Sequence, residues 1–282
     1  MLNFCSLYSG SSGNSLLVNT EKTKILIDCG TSLKKITTAL SSIDTDINEI
    51  DAILVTHEHS DHVQSLGNAS AKYNIPVYTN IETLEAMPKQ KEKISKENQK
   101  LFKIGKTFTI GDLEIKPFSI PHDAANPCGF NIYNNKSKLT IATDLGHMDT
   151  SLLNNLKDSS FILLESNYDP EILKCSKYPF ILKQRIAGPN GHLSNSTAGK
   201  TIAELMKSNL KEVMLGHLSK ENNFPELAYQ TVIEELHNCN VDTNNLKISV
   251  ANRYAPSKIV EVLWKKSILK SIDFLIHLIF YF

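Results

Sequence analysis

The chain has 282 residues, 41% of them hydrophobic, with 12 Gly and 10 Pro, which is enough apolar material for a large core and excludes a low-complexity polypeptide. Lys plus Arg and Asp plus Glu both number 30, so no overall charge argues for a nucleic-acid or membrane partner, and any basic surface has to be local. The five scattered cysteines form no C-x-x-C pair, which argues against a zinc ribbon or redox motif, and Met1 to Leu7 lacks a secretory signal, so reduced thiols and a cytoplasmic location are expected.

Short apolar runs bounded by turn residues open the chain. Leu2 to Leu7, Ser15 to Val18, Lys24 to Asp28 and Ile53 to Thr56 are predicted strands, and Ser9 to Asn14 joins the first two as a hairpin turn would. Helical patterns follow at Ser32 to Leu40 and Val63 to Tyr73, with a strand at Pro76 to Thr79. Lys89 to Lys103 holds six Lys against two Glu. It reads as a solvated helix face, with nucleic-acid contact as the alternative. The second half repeats the grammar, with strands at Leu113 to Ile120, Gly129 to Tyr133, Leu139 to Ala142, Phe161 to Leu164, Val213 to Leu215 and Leu246 to Val250. Helices are predicted at Thr150 to Leu156, Ser196 to Met206 and Pro225 to Asn238. Two such sets predict an α/β protein with two sheets packed face to face and helices outside. One domain is expected over residues 1–265, followed by an apolar tail at 266–282. Within that tail Ile268 to Phe282 carries Lys270 and Asp273 and falls short of the roughly 20 apolar residues of a membrane span. It is read as a docking helix or strand, with membrane association as the alternative.

The chemistry concentrates in Leu54-Val55-Thr56-His57-Glu58-His59-Ser60-Asp61-His62, where an apolar strand ends in four potential ligands within six residues. Imidazole suits Zn, Mn or Fe, and a carboxylate beside it favours a harder ion. His57 and His59 stand two apart, so in extended backbone they project to one side and can grip one ion together. Asp61 and His62 then turn back towards a second. Three histidines in this register directly after an apolar strand argue against a chance surface cluster. A two-ion site needs further ligands, and His122, Asp144 and His217 share the same placement at or near an apolar strand's end. Asp144 is suited to bridge.

This pattern resembles the metallo-β-lactamase superfamily, whose H-x-H-x-D-H signature stands intact at His57 to His62. The resemblance runs from Leu2 to about Val262 and implies the αββα sandwich of two central mixed β-sheets flanked by helices. It further implies that His57, His59 and His122 hold one divalent ion, that Asp61, His62 and His217 hold the other, and that Asp144 bridges them. Asp28 matches the aspartate that supports the histidine loop by hydrogen bonding. A secreted antibiotic-hydrolysing lactamase is disfavoured by the missing signal. His59 stands where a flavodiiron oxygen reductase carries Glu, and the stretch from Asp144 to His217 is too short for the inserted domain of a β-CASP nuclease.

Glu165 at a strand end and His192 ahead of a helix resemble the proton-delivering pair of the RNase Z branch; the plainer role for His192 is to cap or pack that helix. More narrowly, Gly10-Ser11-Ser12-Gly13-Asn14-Ser15, Pro121-His122-Asp123-Ala124-Ala125, Gly191-His192-Leu193-Ser194-Asn195 and His217-Leu218-Ser219-Lys220-Glu221-Asn222-Asn223 together resemble the YycJ/WalJ-type 5′-exonucleases. The resemblance implies a hydrolase that degrades DNA from a 5′ end, with a water held between two ions (Zn or Mn, or Fe) as nucleophile, oriented by Asp61. His192, held by Glu165, would protonate the leaving oxygen. Ser11, Ser12, Asn14, Ser194 and Asn195 are candidates for binding a terminal phosphate, since hydroxyls, amides and turn N–H groups bind phosphate; satisfying their own turns is the alternative. Two other readings stay open: an RNA or small-molecule phosphodiesterase using the same residues, and a non-catalytic metal-stabilised binding or membrane-associated regulatory protein. No obligate protein partner is evident.

Overall fold

The computed structural model describes residues 1–208 and 210–263 of the chain; the apolar stretch from Ile268 to Phe282 lies outside the described residues. In β1 (Leu2–Tyr8) successive side chains point to opposite faces, so Leu2 and Phe4 enter one buried cluster while Cys5 and Leu7 enter another. The same alternation recurs down the chain. The chain continues through β2 (Ser15–Asn19), β3 (Lys24–Ile27), β4 (Ala52–Leu54), β5 (Val77–Thr79) and β6 (Gln99–Leu101). Then come β7 (Phe108–Ile110), β8 (Leu113–Ser119), β9 (Cys128–Asn134), β10 (Ser137–Ala142), β11 (Phe161–Glu165), β12 (Glu212–Gly216), β13 (Lys247–Val250) and β14 (Val260–Val262). They make two seven-stranded sheets, ordered β14-β1-β2-β3-β4-β5-β6 and β13-β12-β11-β10-β9-β8-β7. Both are mixed: β3 to β6 and β10 to β13 run parallel, and the remaining neighbours antiparallel.

The core between the sheets takes one face of each: Phe4, Val18, Ile25, Ile27 and Leu54 from the first, Phe130, Ile132, Ile141, Phe161 and Leu163 from the second. Phe4 and Phe161 meet across it with ring centroids 4.8 Å apart, and burying such a ring contributes roughly 1.5–3 kcal/mol. Helices cover the outer faces, giving the αββα sandwich. The first half carries α1 (Leu33–Ser41), α2 (Ser60–Val63), α3 (Leu66–Tyr73), α4 (Ile81–Ala86) and α5 (Pro88–Lys91). The second carries α6 (Thr150–Leu156), α7 (Pro170–Cys175), α8 (Phe180–Ile186), α9 (Asn195–Leu205) and α10 (Pro225–Asn238). In α1, capped by Ser32, the buried side chains are Ile36, Ala39 and Leu40, a helical spacing that faces Leu26, Ile53 and Val55 of the first sheet. Ala198, Ile202 and Leu205 of α9 and Ala228, Val232 and Leu236 of α10 bury against Ile162, Leu164, Val213 and Leu215 of the second.

Two sequence expectations shift, and one strand pairing was not anticipated. The strand expected to run to Thr56 leaves the ladder after Leu54, because the Thr56 N–H is taken by the carboxylate of Asp28. Lys89 to Lys103 is not one helix face: Pro88 starts the single turn of α5, and the chain then reaches the edge strand β6. Exposed Lys100 on that edge discourages pairing with another chain. Finally β14 returns from the far end of the described chain to pair with β1, Phe4 opposite Val260.

Candidate active site

The polar residues singled out in the sequence gather at the carboxyl ends of the parallel strands, the edge where open α/β sheets bind ligands. Asp28 follows β3, His57 lies beyond β4, Asp144 beyond β10, and His217 follows β12, while Glu165 is the last residue of β11. Asp28, Asp144 and His217 have φ of 62°, 62° and 52°, a left-handed conformation that costs a non-glycine residue roughly 1–2 kcal/mol. The backbone is thus bent sharply where each strand stops, turning these side chains to one centre.

Four groups of donor atoms lie within 4.8 Å of one another: His57 with His59 and His122; Asp61 with His62 and His217; His57 with His62 and Asp144; and Asp144 with Glu165, His192 and His217. The first two share no member, and Asp144 joins both remaining groups. The far ring nitrogens are tied down by hydrogen bonds. His62 Nδ1 donates to Asp28 Oδ2 at 2.8 Å, and His122 Nδ1 to the Gly191 carbonyl at 3.0 Å. Thr56 Oγ1 donates to Asp28 at 2.8 Å and so accepts from His57 Nδ1 at 3.0 Å. Such partners fix ring orientation and tautomer, aiming Nε2 inward.

Two inward atoms, Nε2 of His57 and Oδ2 of Asp144, are buried without a hydrogen-bond partner, although His62 Nε2 stands 3.4 Å from the latter. Leaving buried polar atoms unmatched is costly, and a cation coordinated there resolves both. The donor set of imidazoles and carboxylates fits a divalent metal. Electrostatics divides the ligands: burial disfavours charge on His62, but the Asp144, Asp61 and Asp28 carboxylates overcome it and hold its pKa well above the usual imidazole range, so a bound cation would have to displace that proton. Burial, then the charge of His62, holds His57 well below the usual imidazole range. Burial disfavours charge on Asp144, but the His217, His62 and His57 imidazoles overcome it and keep its carboxyl well below the ordinary value. Neutral imidazole and ionised carboxylate are the forms that ligate.

Beside this cluster, the Glu165 carboxylate is fully buried and accepts three hydrogen bonds: at Oε2 from Leu145 N at 2.7 Å and Leu193 N at 2.9 Å, and at Oε1 from His192 Nδ1 at 2.8 Å. The His192 side chain is 19% exposed. Burial alone lowers its pKa, but the Glu165 charge and hydrogen bond, with Asp144 and Asp61, raise it to about 9. His192 does not cap the following helix; Ser194 does, its hydroxyl accepting from Thr197 N.

The serine and asparagine candidates divide. Ser11 and Ser12 are exposed in the turn after β1. Asn14 is buried: its Oδ1 accepts from Gly10 N at 2.9 Å, and its Nδ2 donates to the Asp61 carbonyl at 3.2 Å. Ser194 is spent on its cap, and Asn195, fully buried, bonds Ser166 and Asn223. These two hold α9 in place, since a helix N-terminus beside a sheet leaves backbone donors to satisfy. Two residues were missed. Asp123 puts Oδ1 3.5 Å from His122 Nε2 and is paired with Arg185; its place next to His122 was the available signal. Glu58 accepts from Ala125 N at 2.7 Å, locking the histidine loop to the loop that carries His122.

A family model described as beta-lactamase superfamily domain matches residues 23–217. The chain is 39% identical over 232 residues to exodeoxyribonuclease WalJ of Streptococcus pneumoniae, covering 82% of this chain and 86% of that protein. It is 38% identical over 235 residues to exodeoxyribonuclease YycJ of Bacillus anthracis, covering 83% and 89%. Among solved structures, the metallo-beta-lactamase fold protein YhfI from Bacillus subtilis superposes with a TM-score of 0.65 at 15% identity, over 92% of this chain and 100% of that one, a likeness of fold.

Proposed function

This chain belongs to the metallo-β-lactamase superfamily, in the family of the WalJ and YycJ exodeoxyribonucleases, and we propose that it is a metal-dependent exonuclease that degrades DNA from the 5′ end. The observation that carries the reading is the pairing of two separate ligand triads, joined through Asp144, with a Glu165–His192 hydrogen bond beside them. A binding module has no use for an imidazole held against a buried carboxylate at the rim of a metal cluster.

In this reading His57, His59 and His122 would hold one divalent ion, Asp61, His62 and His217 a second, and Asp144 both. Zn and Mn suit the donors, and Fe is compatible. Bound ions would lower the pKa of a water and neutralise charge on the phosphoryl oxygens, which in such sites contributes several kcal/mol. Asp61, 24% exposed at its side chain, would orient the attacking water by accepting its hydrogen bond. Glu165 accepts from His192 Nδ1 and stabilises the imidazolium, whose Nε2–H would give its proton to the departing sugar oxygen, leaving the neutral ring with its proton on Nδ1. Asp28 acts at one remove, through His62 and Thr56.

The test is degradation of DNA and RNA strands labelled at either end, with Mn or Zn restored to metal-stripped protein. Progressive release of mononucleotides from the 5′ end of DNA is expected. Cleavage of RNA or of bis(p-nitrophenyl) phosphate with DNA left intact would withdraw the exonuclease reading while leaving a phosphodiesterase.

A further inference from the structure

Arg253 follows β13 and reaches back to the turn after β1. Its Nη2 donates to the carbonyl of Leu218, the residue after His217, and its Nη1 to Ser12 Oγ at 3.2 Å. A Cβ on Gly10 would stand 2.5 Å from Nη1, so glycine there, at φ 147°, leaves room for the guanidinium. The same turn is fixed to the metal cluster: His217 N donates to Ser9 Oγ at 2.8 Å, and Asn14 donates to the Asp61 carbonyl.

Among the described residues Arg253 pairs with no carboxylate, and its two acceptors, a carbonyl and a hydroxyl, are neutral. Burial lowers its pKa from the usual guanidinium value. A guanidinium has five N–H donors in a planar fork, and only two are engaged here. A partly desolvated cation without a counter-charge, beside a cluster suited to divalent cations, is a cost that an anionic ligand would remove. Ser12, which accepts from Arg253, and Ser11, its neighbour in the chain, are both exposed.

We propose that Arg253, with the hydroxyls of Ser11 and Ser12, receives the terminal phosphate monoester at the 5′ end of the strand being degraded. The proposal rests on the exonuclease reading for its ligand. A monoester carries about −1.5 to −2 charge and three acceptor oxygens, whereas an internal diester has one charge and a hydroxyl end none. The fork of Arg253 matches the monoester's oxygens two at a time, so the enzyme would recognise an end by its extra charge and set the next phosphodiester in register with the metals.

The experiment compares wild type, Arg253→Gln and Arg253→Lys on 3′-fluorescein-labelled oligodeoxynucleotides bearing a 5′-phosphate or a 5′-hydroxyl. Binding to metal-stripped protein is read by anisotropy, kcat/KM with metal restored, and folding by melting temperature. Wild type should favour the 5′-phosphate by about 10- to 100-fold, and Arg253→Gln should reduce the preference to within about twofold, the span of a lost charge-assisted hydrogen-bond pair. Arg253→Lys, keeping charge but not the fork, should fall between. Should Arg253→Gln unfold, the lysine variant alone decides, since an unchanged preference there argues against the fork. No 5′-phosphate preference in wild type, or one that survives in folded Arg253→Gln, would overturn the proposal and leave Arg253 as a structural tie. If DNA is bound with the Arg253-dependent preference but never cleaved, the exonuclease reading fails and the phosphate receptor stands.

Discussion

Replacing His192 by alanine separates proton delivery from metal binding. The fold should tolerate it: Glu165 keeps both backbone donors on Oε2 and loses only the 2.8 Å bond at Oε1, at a site open enough for water to replace the ring. That limits the loss to about 1–3 kcal/mol. A general acid contributes typically 10²- to 10⁴-fold in rate, or about 2.7–5.4 kcal/mol at 1.36 kcal/mol per decade, and only when the leaving group needs the proton. A sugar alkoxide does; p-nitrophenolate, a stable anion near neutral pH, does not. Turnover of DNA by His192→Ala should therefore fall by roughly 10²- to 10⁴-fold, while a p-nitrophenyl phosphodiester loses much less and metal content by atomic emission stays that of wild type. The assay is kcat on both substrates with melting temperature and metal stoichiometry measured on the same preparations. An equal loss on both substrates, or loss of metal, would refute the donor assignment.

Asp28→Asn keeps the shape and suits the left-handed backbone at φ 62° but turns an acceptor into a donor facing His62 Nδ1 or Thr56. Urea unfolding should show a loss of about 1.5–3 kcal/mol, and metal titration an affinity lower by roughly 10- to 100-fold. Stripping the metal should lower the melting temperature, because ions in the cluster stabilise only the folded state, by about 4 kcal/mol at a thousandfold excess over Kd; a melting curve indifferent to chelator would count against the ligand set. Near pH 8, iodoacetamide should modify exposed Cys175 and Cys239 and spare Cys5, Cys29 and Cys128. Burial raises the pKa of these three thiols, so they stay protonated and unreactive; mass spectrometry of the native protein distinguishes the two sets.

The sequence by itself determined the local layers. Alternating apolar residues such as Ile25 and Ile27 on one face and Leu26 on the other leave a strand little choice of orientation. The spacing of His57, His59, Asp61 and His62 was legible because all four ride on one short segment, the loop after β4 and the single turn of α2. The tertiary structure alone decided the rest. His122 meets His59 across 63 residues, His217 meets Asn14 across 203, and Arg253 meets Ser12 across 241. No local propensity encodes these meetings, since they depend on which strands pair and at which edge they stop. The left-handed turns at Asp28, Asp144 and His217 are likewise invisible in the sequence, because aspartate and histidine adopt that conformation only where surrounding packing holds them in it. Candidates with nearly the same sequence signal also parted only in three dimensions: Ser11 and Ser12 stay exposed, whereas Ser194 caps a helix and Asn195 is buried among amides. A side chain's type states what it can bond, and only the folded chain sets which partner reaches it first.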